Sequence, residues 1–362
     1  MSLPTPFFYD PHKSFEQNYK DGPHISGKIN SLKKTIKNPK SFTFLGQALA
    51  IPFGIPAGPL IQGQHIKVAF ALGFAACTYK TVRSSIYPSH PYPNILYVDA
   101  GKELHTDLTQ NVYTSSAPSS LESLNITNSF GVPSQDPAVW IKDIKASHTY
   151  AHHNQLLITS FMGTVRKGQT HDEFIKDFGT TALLAKKTGV KVLEVNLSCP
   201  NVGNEGLVCY DIEMVEMICK TIRNSIGDTP LILKVGYYSN KVMLERIAKL
   251  ADKYAQAIAV INTLQAGVLA KDGRNAFRES GREKSGICGA AIKWAGQEMV
   301  ATLSKLRKIN GYSYEIVGIG GVMNVKDYLE YRALGADLVQ SATGSMWHPR
   351  LAQEIWRTEN NC

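Results

Sequence analysis

The 362-residue sequence predicts an α/β fold, a (β/α)8 or TIM barrel in which each of eight parallel strands is followed by a helix. Eight short runs rich in β-branched and aromatic residues recur along the chain, and amphipathic stretches of helical length separate them. Parallel strands need such crossover helices, and eight strand–helix units close on themselves. A doubly wound open sheet is the alternative, because it would fit a strand count that is wrong by one.

The predicted elements follow one another along the chain. The strands are expected at residues 53–57, 76–80, 156–160, 192–196, 231–235, 257–262, 315–319 and 337–341. The helices are expected at residues 172–188, 211–225, 241–253, 290–308, 325–334 and 349–357. Long insertions after barrel strands usually build the active-site face. We therefore expect an N-terminal arm packed on the barrel (1–44), a barrel domain (45–362) and, within it, a long insertion after strand 2 (81–155) that contributes to the substrate site.

The amino-acid composition excludes several classes of protein. With 43% hydrophobic and 19% charged residues the chain has the material for a sizeable core, which excludes disordered, collagen-like and disulfide-scaffold classes. Lys and Arg number 39 against 30 Asp and Glu, and this excess favours anionic ligands. A lysine-rich stretch over residues 28–40 is interpreted as a solvated helix face rather than a nucleic-acid patch. The six cysteines show no zinc-like spacing, so no metal site is predicted.

The apolar runs and the first residues of the sequence indicate where in the cell the protein is expected. The longest strongly apolar run, residues 68–77, is about half as long as a membrane-spanning helix, and the start lacks the basic and apolar regions of a signal peptide. We therefore expect a cytoplasmic protein with no membrane partner and no nucleic-acid partner.

Polar side chains stand where the predicted strands end, which is where barrels carry their chemistry. They are Lys80, Thr81, Ser160, Asn196, Lys234, Asn262 and Thr263. Two lysines and two asparagines that meet at one barrel mouth would be costly to desolvate without a ligand to accept their hydrogen bonds. The pattern indicates a polar, anionic and planar ligand.

Glycine-rich segments follow the last two predicted strands. Gly320 and Gly321 lie in VGIGGVMN at the end of strand seven, and Ala342 and Thr343 precede Gly344 at the end of strand eight. Barrels often bind phosphate at these two loops through backbone N–H groups that glycine lets a ligand approach. The pair of loops therefore predicts a phosphate site.

Cys199 lies in the segment EVNLSCPNVGNEG, directly after the fourth strand. A cysteine on a loop beside lysines has the surroundings that lower a thiol pKa, which would suit a base or nucleophile. An inert thiol packed beneath the loop fits the same residues, and the pattern by itself does not choose between the two.

Several motifs resemble the dihydroorotate dehydrogenase family, in the same order and at the same barrel positions. They are TYKT (78–81), ITNSFGVP (126–133), NLSCPN (196–201), LK (233–234), IN (261–262), ICG (287–289), GIGG (318–321) and ATG (342–344). The resemblance extends from about Phe42 to the C-terminus and is thin over residues 271–284. Cysteine rather than serine at position 199, and an N-terminus without a membrane anchor, make the chain similar to the soluble class 1 enzymes.

The resemblance implies an FMN-dependent oxidation of dihydroorotate to orotate in de novo pyrimidine biosynthesis. Cys199 would be the base that removes the C5 proton while hydride passes from C6 to flavin N5, and Lys80 would be the second catalytic residue. The implied substrate contacts are Lys80, Asn128, Ser129, Phe130, Gly131, Val132, Asn196, Asn201, Asn262 and Thr263. The implied cofactor contacts are Ala57, Gly58, Lys80, Thr81, Asn196, Lys234, Gly289, Gly320, Gly321, Ala342 and Thr343.

The same resemblance implies partners for this protein and leaves several competing functions open. A small-molecule pyrimidine substrate and a homodimer are implied, and fumarate, a quinone or a partner subunit that passes electrons to NAD⁺ would each suit as oxidant. A related FMN barrel acting on dihydrouracil or dihydrothymine shares the asparagines and the cysteine, so a substrate without a carboxylate stays open. A tRNA dihydrouridine synthase is less favoured, because that family adds an RNA-binding domain and only eighteen residues follow Gly344. A flavin-binding scaffold without turnover is disfavoured by the full set of site residues.

Overall fold

Fifteen strands are found among the residues that the computed structural model describes, which are 3, 6–24, 40–105, 111–198, 208–279 and 281–361. The strands are β1 (Phe42–Phe44), β2 (Gln47–Leu49), β3 (Phe53–Ile55), β4 (Ala76–Val82), β5 (Val98–Asp99), β6 (Asn111–Thr114), β7 (Asn125–Asn128), β8 (Leu156–Phe161), β9 (Val192–Asn196), β10 (Leu231–Lys234), β11 (Ala257–Val260), β12 (Leu264–Leu269), β13 (Lys284–Gly289), β14 (Glu315–Ile319) and β15 (Leu338–Gln340).

A closed parallel barrel forms the centre of the fold. Its strands follow the order β3, β4, β8, β9, β10, β11, β14 and β15, and β15 pairs with β3 to close the ring. The prediction of a (β/α)8 barrel is confirmed, and the open-sheet alternative is wrong. Each predicted strand lies in the barrel within two residues of its expected ends. The strands are buried almost throughout, as both faces of a barrel strand are covered.

The helices of the described residues are α1 (Phe15–Asp21), α2 (Gly63–Ala71), α3 (Pro137–Ser147), α4 (His171–Lys186), α5 (Ile212–Ile226), α6 (Lys241–Tyr254), α7 (Lys293–Asn310), α8 (Val325–Ala333), α9 (Thr343–Trp347) and α10 (Leu351–Glu359). The long helices between barrel strands cover the outside of the barrel, whereas α1 belongs to the N-terminal arm and α9 begins in the loop after β15. Helix α4 begins at a capping box of Thr170 and Glu173, and α5 buries Val215, Ile218 and Ile222 on one face. No helix of the described segments is both long and apolar enough to cross a bilayer.

A second sheet lies beside the barrel and is built from two separate stretches of the chain. Its strand order is β5, β6, β12, β13 and β7. Strands β5, β6 and β7 belong to the insertion after the second barrel strand, whereas β12 and β13 lie between the sixth and seventh barrel strands. The sequence did not predict β12 and β13, because the chain between them is polar and their pairing with β6 and β7 is long-range.

The N-terminal arm contacts the barrel through buried aromatic residues and hydrogen bonds. Phe8 and Phe15 are buried in the same core as the barrel. The backbone N–H of Phe7 donates to the carbonyl of Met346 (2.6 Å), and His65 Nε2 in α2 donates to the carbonyl of Phe8 (3.0 Å). These contacts bring the arm over the loops that end the strands.

Acid should destabilise the fold through His65. Burial lowers the pKa of His65 from 6.5 to about 4. Below pH 6.5 the unfolded chain therefore binds a proton at His65 that the folded chain excludes. The contribution of neutral His65 to the free energy of unfolding is complete above pH 6.5 and is lost as the pH falls through 4. His65→Gln keeps a donor for the Phe8 carbonyl but has no group that titrates in this range. Between pH 7 and pH 4 we expect the free energy of unfolding of the wild type to fall by about 3 kcal/mol more than that of His65→Gln.

Urea unfolding at a series of pH values measures this difference. His152→Gln is the matched control, since His152 is exposed and should leave the pH dependence unchanged. Equal losses in His65→Gln and wild type would contradict the prediction.

Candidate active site

A cavity of about 860 Å³ opens at the carboxyl ends of the barrel strands. The predicted site residues that line it are Ala57, Gly58, Lys80, Asn128, Phe130, Lys234, Asn262, Thr263, Gly289, Gly320, Gly321, Ala342 and Thr343. A smaller cavity of about 260 Å³ lies next to it, lined by Thr81 and sharing Lys80 with the first. Cys199 and Asn201 lie outside the described residues.

The polar side chains at the strand ends form one hydrogen-bond network. Asn262 donates through Nδ2 to Asn196 Oδ1 (3.4 Å) and also to the carbonyl of Ser198. Asn196 Nδ2 in turn lies 3.5 Å from Thr81 Oγ1, which is 3.0 Å from Ser160 Oγ. The network fixes the orientation of both amides at the mouth of the barrel.

Lys234 and Glu194 are buried together on the inner face of neighbouring strands. Lys234 is 3% exposed and Glu194 is 1% exposed. Lys234 is paired in register with Asn196, and Glu194 lies two residues before Asn196 on the same strand, so both side chains point into the barrel. Burial raises the pKa of Glu194, and the charge of Lys234 opposes that rise. The cation at the cavity therefore has a buried acidic neighbour beneath it.

Lys80 lies beside the loop formed by residues 129–132. Its Nζ is 5.5 Å from the centroid of the Phe130 ring, within the range of a cation–π contact. Phe130 also packs edge-on against Tyr9 and Phe15 of the N-terminal arm. One aromatic cluster thus connects the arm, the loop and a cavity lysine.

The loops after β14 and β15 contact each other and form what we call the glycine cradle, residues 320–322 and 342–344. Ser341 Oγ donates to the carbonyl of Val322 (2.6 Å), and a Cβ added at Gly344 would lie 2.2 Å from that same oxygen. Gly320 and Gly321 have φ values of +119° and +65°. No described residue accepts a hydrogen bond from the N–H of Gly321 or Val322. Backbone N–H groups that have no acceptor among the described residues are the kind of donor that binds a phosphate.

Closing the cradle should weaken cofactor binding. Gly344→Ala places a methyl group into the space held by the Val322 carbonyl, so one of the two loops must move. For FMN, the cofactor that the sequence resemblance implies, we expect the dissociation constant to rise at least about tenfold while the barrel stays folded. Gly236→Ala is the control, because the added Cβ would make only ordinary contacts, 3.5 Å or longer. Flavin fluorescence titration of the apoprotein measures the dissociation constant of each variant. Equal affinities of Gly344→Ala and Gly236→Ala would contradict the prediction.

The 129–132 loop presents backbone N–H groups that have no partner among the described residues. No described residue accepts a hydrogen bond from the N–H of Phe130, Gly131 or Val132. Gly131 and Val132 have φ values of +73° and +54°, and the second is rare for a β-branched residue. A Cβ at Gly131 would lie 2.6 Å from the His90 ring, so the close packing requires glycine. Successive N–H groups of a turn that have no acceptor among the described residues are suited to bind an anion.

The four described cysteines are poor candidates for a base. Burial raises the pKa of Cys209 and Cys288 to about 11, that of Cys219 to about 12, and that of Cys77 well above its usual value. Cys288 lines the cavity but holds its proton at neutral pH.

Several residues at the cavity were not expected from the sequence. Tyr9 and Phe15 of the arm line it, as do the apolar residues Ile95 and Met346. The run of aromatic residues in the arm was the only available signal. The arginines that contact the 129–132 loop, Arg83 and Arg282, carried no signal, since their partners are distant in the chain.

Comparison with known proteins agrees with the geometry. Residues 116–358 match the family model described as dihydroorotate dehydrogenase. A dihydroorotate dehydrogenase of Dictyostelium discoideum is 37% identical, with 97% of each chain covered. Catalytic subunits named dihydroorotate dehydrogenase B (NAD(+)) are similar over about half of this chain. That of Maridesulfovibrio salexigens is 30% identical and that of Citrifermentans bemidjiense is 32% identical, each with 58% of the relative covered. The resemblance in the sequence motifs is thereby confirmed, and the chain belongs to the dihydroorotate dehydrogenase family.

Proposed function

We propose that this protein oxidises dihydroorotate to orotate with FMN as its cofactor, and that the 129–132 loop binds the carboxylate of the substrate. Oxidation of dihydroorotate is the reaction of the family to which the chain belongs. The observation that carries the carboxylate assignment is the set of three successive N–H groups, at residues 130–132, that have no acceptor among the described residues. Dihydrouracil and dihydrothymine have no carboxylate to fill that site.

The cavity residues fit FMN. The glycine cradle offers N–H groups to the phosphate, Gly58 leaves open space where a side chain would project, and Lys234 supplies a buried cation. When bound, FMN supplies the N5 atom that accepts the hydride from C6 of the substrate. We assign cofactor contacts to Ala57, Gly58, Lys80, Thr81, Asn196, Lys234, Gly289, Gly320, Gly321, Ala342 and Thr343.

The pyrimidine ring needs donors and acceptors in fixed positions. Asn128, Asn262 and Thr263 line the cavity, and Thr263 Oγ1 is buried with no hydrogen-bond partner among the described residues. A buried hydroxyl without a partner is costly unless a ligand completes it. These side chains, together with Asn196 and Asn201, are the proposed contacts to the ring amides and carbonyls of the substrate.

A base must remove the C5 proton as the C6 hydride leaves, so that the C5–C6 double bond forms. We assign this role to Cys199 on the family resemblance. The raised pKa values of the four described cysteines support the assignment, because none of those thiols would be ionised near neutral pH. Lys80 would hold the substrate between the 129–132 loop and the flavin.

The family resemblance alone supports three further proposals. We propose a homodimer, a cytoplasmic location, and reoxidation of the flavin by fumarate, by a quinone or by a partner subunit that passes electrons to NAD⁺. Parallel assays with each acceptor distinguish the three routes.

Anaerobic reduction of the purified yellow protein tests the proposal. Dihydroorotate, dihydrouracil and dihydrothymine are mixed with it in parallel, and flavin absorbance is followed. We expect only dihydroorotate to bleach the flavin rapidly, and we expect the extracted flavin to have the mass of FMN. Equal reduction by an uncarboxylated dihydropyrimidine, or recovery of FAD, would overturn it.

A further inference from the structure

We propose that Arg83 and Arg282 are positioning residues that turn the N–H groups of the 129–132 loop toward the cavity and so set the affinity for a carboxylated substrate. The two guanidinium groups hold the carbonyl side of the loop. This inference rests on the proposed function, since it explains how the carboxylate site is built.

Arg83 holds the second half of the loop. It is fully buried, and its Nε donates to the carbonyl of Val132 (2.9 Å) while Nη2 donates to that of Gly131 (3.3 Å). Its Nη1 donates to the carbonyl of Gly163 (3.0 Å), just after barrel strand β8. The guanidinium also stacks 4.1 Å from the ring centroid of Tyr87. Arg83 therefore fastens the loop to the rigid barrel.

Arg282 holds the first half of the loop. It is 4% exposed, and its Nη2 donates to the carbonyl (3.3 Å) and the hydroxyl (3.1 Å) of Ser129. The same nitrogen donates to the carbonyl of Pro93 (2.7 Å), and Nη1 forms an ion pair with Glu279 (2.7 Å). The guanidinium lies 4.4 Å from the Phe277 ring centroid. Arg282 thus connects the loop to the second sheet, directly before β13.

The remaining carbonyl is also occupied. The N–H of His90 donates to the carbonyl of Phe130 (2.9 Å). Every carbonyl from residue 129 to residue 132 therefore has a donor, and the N–H groups of residues 130–132 have no acceptor among the described residues. The carbonyl groups of the loop are therefore all hydrogen-bonded, whereas these N–H groups are left to bind an anion.

The loop conformation needs this support. Val132 has a φ of +54°, and a β-branched residue stays in that region only where its surroundings over-determine the backbone. Arginine suits the task because its planar guanidinium presents five donors in a fixed fork, and it stays charged when buried. Lysine would keep the charge, but its three donors lie on one nitrogen, whereas three different nitrogens of Arg83 bond the carbonyls of Gly131, Val132 and Gly163. The two buried positive charges also add attraction for an anion on the far side of the loop.

The test compares Arg83→Lys and Arg282→Gln with a matched control, Arg223→Lys. Arg223 also donates to several backbone carbonyls, those of Gly227, Thr229 and Tyr254, but at the opposite end of the barrel. The measurements are kcat and KM for dihydroorotate, the dissociation constant of orotate, flavin content and the melting temperature of the holoenzyme. A loop variant with a lower melting temperature but an unchanged dissociation constant for orotate would show that the arginine has only a structural role.

We expect KM for dihydroorotate and the dissociation constant of orotate to rise about 10- to 100-fold in both loop variants. We expect kcat to change much less, flavin content to be kept, and Arg223→Lys to retain wild-type affinity for orotate. Unchanged orotate affinity in a flavin-loaded loop variant would overturn the inference. Arg282→Gln provides the answer if Arg83→Lys does not fold. Wild-type protein that fails to bind orotate would instead refute the proposed function.

Discussion

Replacing Cys199 by serine should slow reduction of the bound flavin by dihydroorotate about 10²- to 10⁴-fold near neutral pH, which is the usual contribution of a general base. A thiol with an unperturbed pKa of about 8.5 is partly ionised at neutral pH, whereas a serine hydroxyl is far harder to deprotonate. The wild-type rate should also rise with pH until the thiol is ionised. Stopped-flow reduction under anaerobic conditions, repeated from pH 6 to pH 10, measures both effects.

Two other cysteines serve as controls for this substitution. Cys209 and Cys219 are buried, and burial raises their pKa values to about 11 and about 12. Their serine variants should reduce flavin at the wild-type rate and lose only stability. If Cys199→Ser keeps the wild-type rate and pH profile, the base lies elsewhere in the site.

Removing the charge of Lys234 should slow flavin reduction about 10²- to 10³-fold, the usual effect of losing one group that stabilises developing negative charge. Lys234→Met keeps most of the side-chain volume at a position that is 3% exposed, so the barrel should stay folded. Without the cation, negative charge on the reduced cofactor is less favourable, and the midpoint potential of the flavin should fall.

Two readouts test the Lys234 prediction independently. The rate comes from anaerobic stopped-flow mixing, and the potential comes from equilibration with a reference dye. Lys241→Met is the control, since Lys241 is exposed at the start of α6 and should leave both values unchanged. A wild-type rate and potential in Lys234→Met would remove this lysine from the site.

The barrel could be predicted from the sequence because its signals are local. Each strand is a short apolar run, and several helices carry their own capping residue or apolar face, as Thr170 shows for α4 and Val215 for α5. The residues that end the strands could be predicted for the same reason. Lys80 and Lys234 lie near the ends of their strands and Asn262 lies just after its strand, and strand ends in a barrel meet at one mouth.

The rest of the site depends on contacts between distant segments. Strands β12 and β13 are stabilised by pairing with the insertion, so their own residues give a weak pattern. Tyr9 reaches the cavity only because the arm folds back over the barrel. The role of Arg282 depends on Ser129, which lies far away in the chain. Local propensity carries no information about such pairs.

The docked position of the N-terminal arm has a consequence for protein synthesis. The arm is translated before the barrel, but the carbonyl that accepts the N–H of Phe7 belongs to Met346, which is added after the last barrel strand. The strand that closes the barrel, β15, is made equally late. A stalled nascent chain that ends before Met346 therefore lacks this anchor of the arm. The aromatic cluster of Tyr9, Phe15 and Phe130 at the cavity therefore gains this anchor only after all eight barrel strands have been translated.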